Sequence, residues 1–139
     1  MKIPGLRSDS VTVSGLVFFG RMLDKMRLRA AGTLPADYLT GAAKRTHSDS
    51  RCVRFLRVDY ELLKSRVLKG GSDEEVLEWC YQQGFRPSAD EIEVWNEYMA
   101  KRGWRDSSSE ELAAAKTSRG YAHREDVQTW FELHTVEES

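Results

Sequence analysis

Cysteine and histidine are scarce in this sequence, and their scarcity excludes several kinds of protein and site. The 139 residues include two cysteines and three histidines. Cys52 and Cys80 are too few for the disulfide framework of a small secreted domain, and free cysteine commonly behaves as a small buried apolar residue. Because the sequence has no Cys-x-x-Cys and no pair of histidines at the spacing of helical ligands, we predict no metal site and no cofactor.

Long apolar runs are also missing. No stretch approaches the length needed to span a membrane, and residues 1–6 lack the apolar segment of a signal peptide. Together with two reduced cysteines, these absences predict a soluble, cytoplasmic protein that makes no membrane contact.

Recognisable catalytic patterns are absent as well. The Gly70–Ser72 turn leads into a helix but is not part of a glycine-rich phosphate loop. Separate candidates for a nucleophile, a base and an acid exist, such as Cys52, His123 and Asp126, but no spacing joins them. Whether the protein is an enzyme is therefore left open.

The composition is that of one globular domain with an uneven charge distribution. Apolar residues make up 40% and charged residues 31% of the chain. Residues 1–69 contain 14 Lys and Arg against 6 Asp and Glu, whereas residues 70–139 contain 7 against 16. Such asymmetry can indicate a nucleic-acid partner for the basic half. The interpretation we favour is that the two halves pack together and neutralise each other.

Two capping boxes give the clearest structural signal. Ser72 is followed three residues later by Glu75, and Ser88 by Glu91, each time just before apolar residues at helical spacing. In this pattern the serine hydroxyl and the glutamate carboxylate each accept a backbone N–H at the start of a helix. We therefore predict two short helices that begin at these serines.

The rest of the chain predicts an all-α fold, a compact bundle of about six short helices with little or no strand. We expect an N-terminal arm over residues 1–12 and one helical domain over residues 13–136. The first helix is predicted from about Ser14 to Ala31. Towards the C-terminus, one helix is predicted to begin at Ser88 and the next at Ser107 or Ser108. The last helix is predicted from about Arg124 to His134. Residues 32–50 are predicted as a long connection, and residues 51–57 could form a helix or a short strand.

Four segments of this chain resemble an uncharacterised bacterial family, domain of unknown function 5069. They are Arg21–Lys25, Asp73–Trp79, Pro87–Ile92 with Trp95, and His123–Phe131. The resemblance covers nearly the whole chain in the same order and implies a bacterial one-domain protein. It implies no activity, cofactor or active-site residue. Family members often have Pro or Gly after the counterpart of Arg102–Gly103, where this chain has Trp104.

Two polar clusters are candidate sites for a ligand or partner. The first is Arg21, Asp24 and Lys25, with Arg27 one turn further along the same predicted helix. Asp24 is three residues from both Arg21 and Arg27, so it can pair with either on one helix face. If Asp24 is buried, the cluster could either fix helix packing or hold a polar ligand, and we favour the structural role.

The second cluster contains His123 and Arg124, followed by two acids. It could be an ordinary helix N-terminus or a polar rim beside Trp130. Trp104, together with Tyr121, is a candidate exposed aromatic for contact with a partner.

Three functions remain open from the sequence. The favoured one is an interaction or regulatory module that binds another protein or self-associates, because the chain is small and its charge is polarised. The alternative is a small-molecule-binding protein or an enzyme whose unfamiliar site forms where the first cluster meets His123. A weaker alternative is an RNA-associated factor, although the acidic half disfavours nucleic acid. Its contact residues would be Arg45, Arg51, Arg54 and Arg57.

Overall fold

A computed structural model describes residues 1–139 and shows a mostly helical fold, as predicted. Seven helices follow one small antiparallel hairpin. The elements are β1 (Thr12–Val13), β2 (Leu16–Val17), α1 (Phe19–Ala30), α2 (Ser48–Leu56), α3 (Tyr60–Leu68), α4 (Asp73–Gln83), α5 (Ala89–Lys101), α6 (Ser109–Ser118) and α7 (Trp130–Glu137). No helix combines the length and the apolar character needed to cross a membrane.

The first helix begins five residues later than predicted because Ser14 and Gly15 form a hairpin turn. Both have positive φ, 47° and 85°. Two such residues make the two-residue turn whose twist matches that of paired strands. Val13 therefore pairs with Leu16, and α1 starts only at Phe19. Leu16 is buried as the apolar pattern indicates, but it lies in β2, and the helical part of the pattern begins at Phe19.

The core surrounds α1. Phe19, Met22, Leu23 and Met26 are at most 1% exposed and belong to one cluster of 19 buried apolar residues. Burial of a side chain of this size stabilises the fold by about 1.5–3 kcal/mol. Helix α1 thus supplies the central part of the core.

Helix α5 fixes the hairpin against this core. The Trp95 indole N–H donates to the Val17 carbonyl over 3.1 Å inside the core. Asn96 accepts from the Val17 N–H at 3.0 Å and donates to the Gly15 carbonyl at 2.8 Å. The strands are thus paired with a helix side chain as well as with each other.

Residues 51–56, for which the sequence allowed either a helix or a strand, are helical. They belong to α2, which begins at Ser48, inside the predicted connection, and ends at Leu56. Arg57 follows the helix in a left-handed conformation with φ 59°. Its buried Cys52, Val53 and Leu56 face the core. This helix brings the total to seven.

The predicted starts of α4 and α5 are confirmed, and α3 also begins at a capping residue, Asp59. The Asp59 carboxylate accepts the Leu62 N–H at 3.0 Å. Both capping boxes are complete, with serine and glutamate each accepting a backbone N–H.

The predicted start of α6 is confirmed, but the start of α7 differs from prediction. Ser108 directly precedes α6 without making a capping bond, and its hydroxyl accepts a hydrogen bond from Arg102. Residues 124–128 contain a turn at Glu125–Asp126 and no helix. Helix α7 begins at Trp130 and is capped by the Thr129 hydroxyl, which accepts the Glu132 N–H at 3.1 Å. His123 and Arg124 therefore do not lie at a helix N-terminus.

Candidate functional site

The three predicted cluster residues on α1 are buried, but they do not pair with one another. Arg21, Asp24 and Lys25 are 2%, 7% and 4% exposed. Each makes ion pairs with residues from other parts of the chain. The cluster is thus the centre of a buried ionic network. The network has three branches, one for each cluster residue together with its partners from other parts of the chain.

The Arg21 branch joins the two ends of the chain. The Arg21 guanidinium binds both carboxylate oxygens of Glu138, at 2.8 and 2.7 Å, and lies 3.6 Å from Asp9. His134 on α7 contacts the other Asp9 oxygen at 2.8 Å. The Tyr38 hydroxyl also reaches Glu138, at 3.1 Å.

The Asp24 branch joins the N-terminal segment to α4. Asp24 accepts three hydrogen bonds from Arg7, from the backbone N–H at 2.9 Å and from the guanidinium at 2.8 and 3.0 Å. Arg7 and Arg27 also each pair with Asp73, both at 2.7 Å. The predicted pairing of Asp24 with Arg27 is present at 3.6 Å, but Arg7 is the closer partner.

The Lys25 branch holds the connection between α1 and α2. The Lys25 ammonium lies 2.8 Å from Asp49 Oδ1 and donates to the Leu39 carbonyl at 3.0 Å. Asp49 is fully buried, and its other oxygen accepts the Gly41 N–H at 3.1 Å. Oδ1 accepts no hydrogen bond of good geometry, so the charge of Lys25 alone balances it. His47 Nδ1 lies 3.3 Å from the Gly41 carbonyl.

Opposite charges lower the pKa of three carboxylates in this network, those of Asp9, Asp73 and Glu138. Burial alone would raise the pKa of Asp9, but His134 and Arg21 outweigh it, and the pKa lies below its ordinary value. Arg21 does the same for the pKa of Glu138, and Arg27 and Arg7 for that of Asp73. The cations are satisfied within the fold, which favours the structural role predicted for the cluster.

These ion pairs also account for part of the charge asymmetry. Arg7 and Arg27 from the basic half bind Asp73 of the acidic half, and Arg21 binds Glu138. The expected neutralisation between the two halves is thus present across the network.

A different group of cations has no acidic partner. Arg45, Arg51 and Arg54, which we call the arginine surface, form no ion pair, although seven other arginines do. Arg45 and Arg54 are exposed and Arg51 is half-buried. Burial, and then repulsion by Arg45 and Arg51, lower the pKa of Arg54. The three positive charges therefore lie close enough to affect one another.

Backbone carbonyls and hydroxyls position two of these guanidinium groups. Arg51 donates to the Thr46 carbonyl at 3.1 Å and to the Tyr98 hydroxyl at 2.5 Å. Arg54 donates to the Arg45 carbonyl at 3.0 Å and to the Ser50 hydroxyl. A guanidinium has five N–H donors, so each keeps donors for an external acceptor.

Residues 39–47, which we call the bridging loop, connect the buried network to the surface. On the inner side, Lys25 donates to the Leu39 carbonyl and Asp49 accepts the Gly41 N–H. The carbonyls of Arg45 and Thr46 are held from outside by the arginine surface. One loop thus meets a buried ion pair on one side and exposed cations on the other.

The remaining predicted site residues lie near the C-terminal part of the chain and are not joined to the α1 cluster. Trp104 is 45% exposed, with Arg105 5.0 Å above its ring. His123 is exposed, and Arg124 pairs with Asp126 at 2.8 Å. Their sequence neighbours Gly103 and Ala122 line a shallow depression of about 280 Å³. The histidine that reaches the buried network is His134, not His123.

Sequence reasoning missed six charged members of the network: Arg7, Asp9, Asp49, Asp73, His134 and Glu138. Their partners lie between 12 and 125 residues away in sequence. No local spacing can report such a contact. A weak signal was present, because Arg7 and Asp9 are the only charged residues between Lys2 and Arg21.

Comparison with known proteins gives a family but no activity. The family model described as a domain of unknown function, DUF5069, matches residues 3–139. A search of curated proteins finds no similar sequence. The resemblance drawn from the four sequence segments is thus confirmed over essentially the whole chain, and this protein belongs to the family of domain of unknown function 5069.

Proposed function

We propose that this protein is an interaction module that binds an acidic segment of a partner protein through the arginine surface. The single observation that supports this is the grouping of Arg45, Arg51 and Arg54 without a carboxylate, in a fold that pairs most of its other arginines. Guanidinium forks bind carboxylates with two parallel hydrogen bonds. A row of acidic side chains would supply the missing partners.

The positioning of these guanidinium groups favours binding. Arg51 and Arg54 are already held by the carbonyls of the bridging loop. A side chain fixed before association loses less conformational freedom when a ligand arrives. Charges at the rim of an interface act mainly by steering the partner and setting its orientation. We therefore expect fast, salt-sensitive association.

The neighbouring aromatic rings favour a peptide over RNA. Tyr98 has Arg51 5.9 Å and Arg102 5.0 Å from its ring centroid, and Phe85 has Arg57 at 4.3 Å. Proteins that bind single-stranded RNA commonly stack bases on open aromatic faces. Here arginine side chains already cover the rings of Tyr98 and Phe85. A peptide carboxylate needs no open ring and can bind to the arginines alone.

Binding of a labelled glutamate-rich peptide, followed by fluorescence anisotropy, tests the proposal. We expect Arg45→Gln to weaken binding, because this side chain makes no hydrogen bond within the fold and the change removes only its charge. The double variant Arg51→Gln/Arg54→Gln should weaken it by about tenfold or more. The matched control Lys69→Gln/Arg105→Gln changes the net charge equally at exposed positions elsewhere.

Two outcomes would contradict the proposal. Equal loss of binding in the double variant and its control would show a general charge effect without a defined surface. Tighter binding of an RNA oligonucleotide, lost in the arginine variants and steeply weakened by salt, would favour the RNA-associated factor instead.

We further propose that the protein acts in the bacterial cytoplasm, either on another protein or by self-association. Support comes from Cys52 and Cys80, which are buried and unpaired as in proteins of reducing compartments. Sedimentation of the purified protein over a range of concentrations distinguishes a monomer that needs another partner from a self-associating chain.

A further inference from the structure

We propose that the cavity between α1, the bridging loop and α3 binds a small molecule that carries an anionic group on an apolar body. This cavity, the α1–α3 pocket, has a volume of about 360 Å³, within the usual range of ligand pockets. It is separate from the arginine surface and adds a second binding activity to the proposed function.

The pocket lining combines apolar surface with positive charge, which are the two properties that such a ligand needs. Met26, Ala30 and Leu68 provide apolar surface on two helices, and Ala42 and Ala43 provide it on the bridging loop. Ligand pockets are typically apolar with a few polar groups that fix orientation. The apolar part of the ligand would contact these side chains.

The charged residues of the lining favour an anion. Arg29 and Lys64 both line the pocket, against one acid, Glu61. Lys64 pairs with Glu61 at 3.0 Å, but these side chains are 41% and 72% exposed. Exposed pairs contribute little to stability, so a ligand carboxylate or phosphate can compete for Lys64. Arg29 donates to the Tyr38 carbonyl and keeps other donors free.

The buried ion pair behind the pocket explains why its wall is preformed. Lys25 holds the Leu39 carbonyl and Asp49 holds the Gly41 N–H, so the loop that lines the pocket is tied to buried charges. Burying an ion pair commonly gives no more stability than an apolar pair of the same size. Its effect here is to fix the shape of the bridging loop, and a fixed wall lowers the entropic cost of binding.

Tyr60 lines the pocket without adding a negative charge. It is 8% exposed, and burial, followed by the charge of Asp49, raises the pKa of its hydroxyl. The phenol therefore stays neutral, and the two cations of the lining, Arg29 and Lys64, are opposed only by Glu61.

Titration of the isotope-labelled full chain with phenylacetate, followed by amide NMR shifts, tests this inference. We expect saturable shifts at residues 40–43 and in α3. Phenethyl alcohol and phenethylamine, which have the same ring with a neutral or a positive group, should bind about fivefold or more weakly. Two variants should each weaken phenylacetate to a similar degree: Lys64→Gln, which removes a cation, and Ala43→Phe, which fills the pocket at an exposed loop position.

The matched control is Lys69→Gln, which removes a cation from the end of the same helix but outside the pocket. The inference is overturned if phenylacetate produces no saturable shifts, if the alcohol binds as well as the acid, or if Lys69→Gln weakens binding as much as Lys64→Gln. The experiment is independent of the arginine surface, because binding of phenylacetate should persist in Arg51→Gln/Arg54→Gln. Shifts lost in that double variant but kept in Lys64→Gln would place the anion on the arginine surface and contradict the pocket.

Discussion

Asp24 and Arg45 carry opposite charges and also differ in what a substitution would reveal. The Asp24 side chain is 9% exposed and accepts three hydrogen bonds from Arg7. Arg45 is exposed and its side chain makes no ion pair. Removing a charge from a buried pair leaves its partner unsatisfied. A change at Asp24 therefore reports on stability, and a change at Arg45 reports on binding.

Asp24→Ala should destabilise the fold by about 3 kcal/mol, near the lower end of the range for a broken buried pair. The lower end applies because Arg7 is 32% exposed at its side chain and keeps Asp73 as a second partner. The midpoint of urea unfolding measures the effect. Asp37→Ala is the control, because Asp37 is exposed and unpaired, and it should change stability by less than about 0.5 kcal/mol. Equal effects of the two variants would show that the Arg7–Asp24 contact contributes nothing to stability.

Gly84 is a second residue at which a substitution should affect stability, because neighbouring backbone atoms lie very close to it. A Cβ at this position would lie 2.5 Å from the Arg57 carbonyl oxygen and closer still to that of Leu56. Since both neighbours are backbone, Gly84→Ala should separate the end of α4 from the end of α2 and destabilise by about 1–3 kcal/mol. Thermal unfolding should show the loss in Gly84→Ala and not in Gln83→Ala, a change at the exposed preceding residue. An unchanged midpoint would mean that the two helix ends can move apart freely.

At the scale of the element, the sequence predicts a helix start when the signal is local. Ser88 and Glu91 are three residues apart and form the predicted capping box, with distances of 3.0 and 3.2 Å. The signal for the turn at Ser14–Gly15 was equally local. It was ambiguous, because the apolar residues on either side of the turn fit the spacing of a helix as well as that of a hairpin. Thr129 and Glu132 were another local signal, overlooked because the charged residues 124–126 resemble a first helical turn.

Ser88→Ala should destabilise the fold by about 0.5–2 kcal/mol through loss of the cap of α5. The effect reaches the core because α5 carries Trp95, whose indole binds the hairpin. Chemical denaturation measures it. Ser65→Ala, within α3, provides the comparison, because alanine is the better helix former there and should be neutral or slightly stabilising. If both variants unfold at the wild-type midpoint, the capping box does not contribute to stability.

The candidate site was harder to predict than the elements for a physical reason. Arg21, Asp24 and Lys25 were identified because they are close in sequence on one helix. Their partners Glu138, Arg7 and Asp49 are brought to them only by tertiary packing. Local patterns show which charges are available, but they do not show which of those charges the fold will bury together.

For the molecule as a whole, the buried carboxylates set how stability depends on pH. The pKa values of Asp9, Asp73 and Glu138 are lowered in the folded state from ordinary values of 3.8 and 4.5. Groups of this kind stabilise the fold above the unfolded pKa and lose that contribution as pH falls through the folded pKa. The stabilisation should therefore be complete at neutral pH and decline below about pH 4.5.

Urea unfolding followed from neutral pH to about pH 3 measures this decline. Glu138→Gln should be less stable than the wild type at neutral pH, because Arg21 loses its closest anionic partner. The two proteins should become more alike in acid, where Glu138 is protonated. A constant difference across the pH range would contradict the assignment of the pH dependence to this ion pair.

The joining of the two chain ends bears on when the protein can finish folding. Arg21 and Glu138 are separated by 117 residues, and Asp9 and His134 by 125. Closing a loop of that length costs about 4 kcal/mol of chain entropy. On the ribosome, α1 emerges early with a cation whose partner has not yet been synthesised. The buried environment of Arg21 can form only after His134 and Glu138 have left the ribosome, so in a nascent chain Arg21 stays exposed to water until those residues emerge.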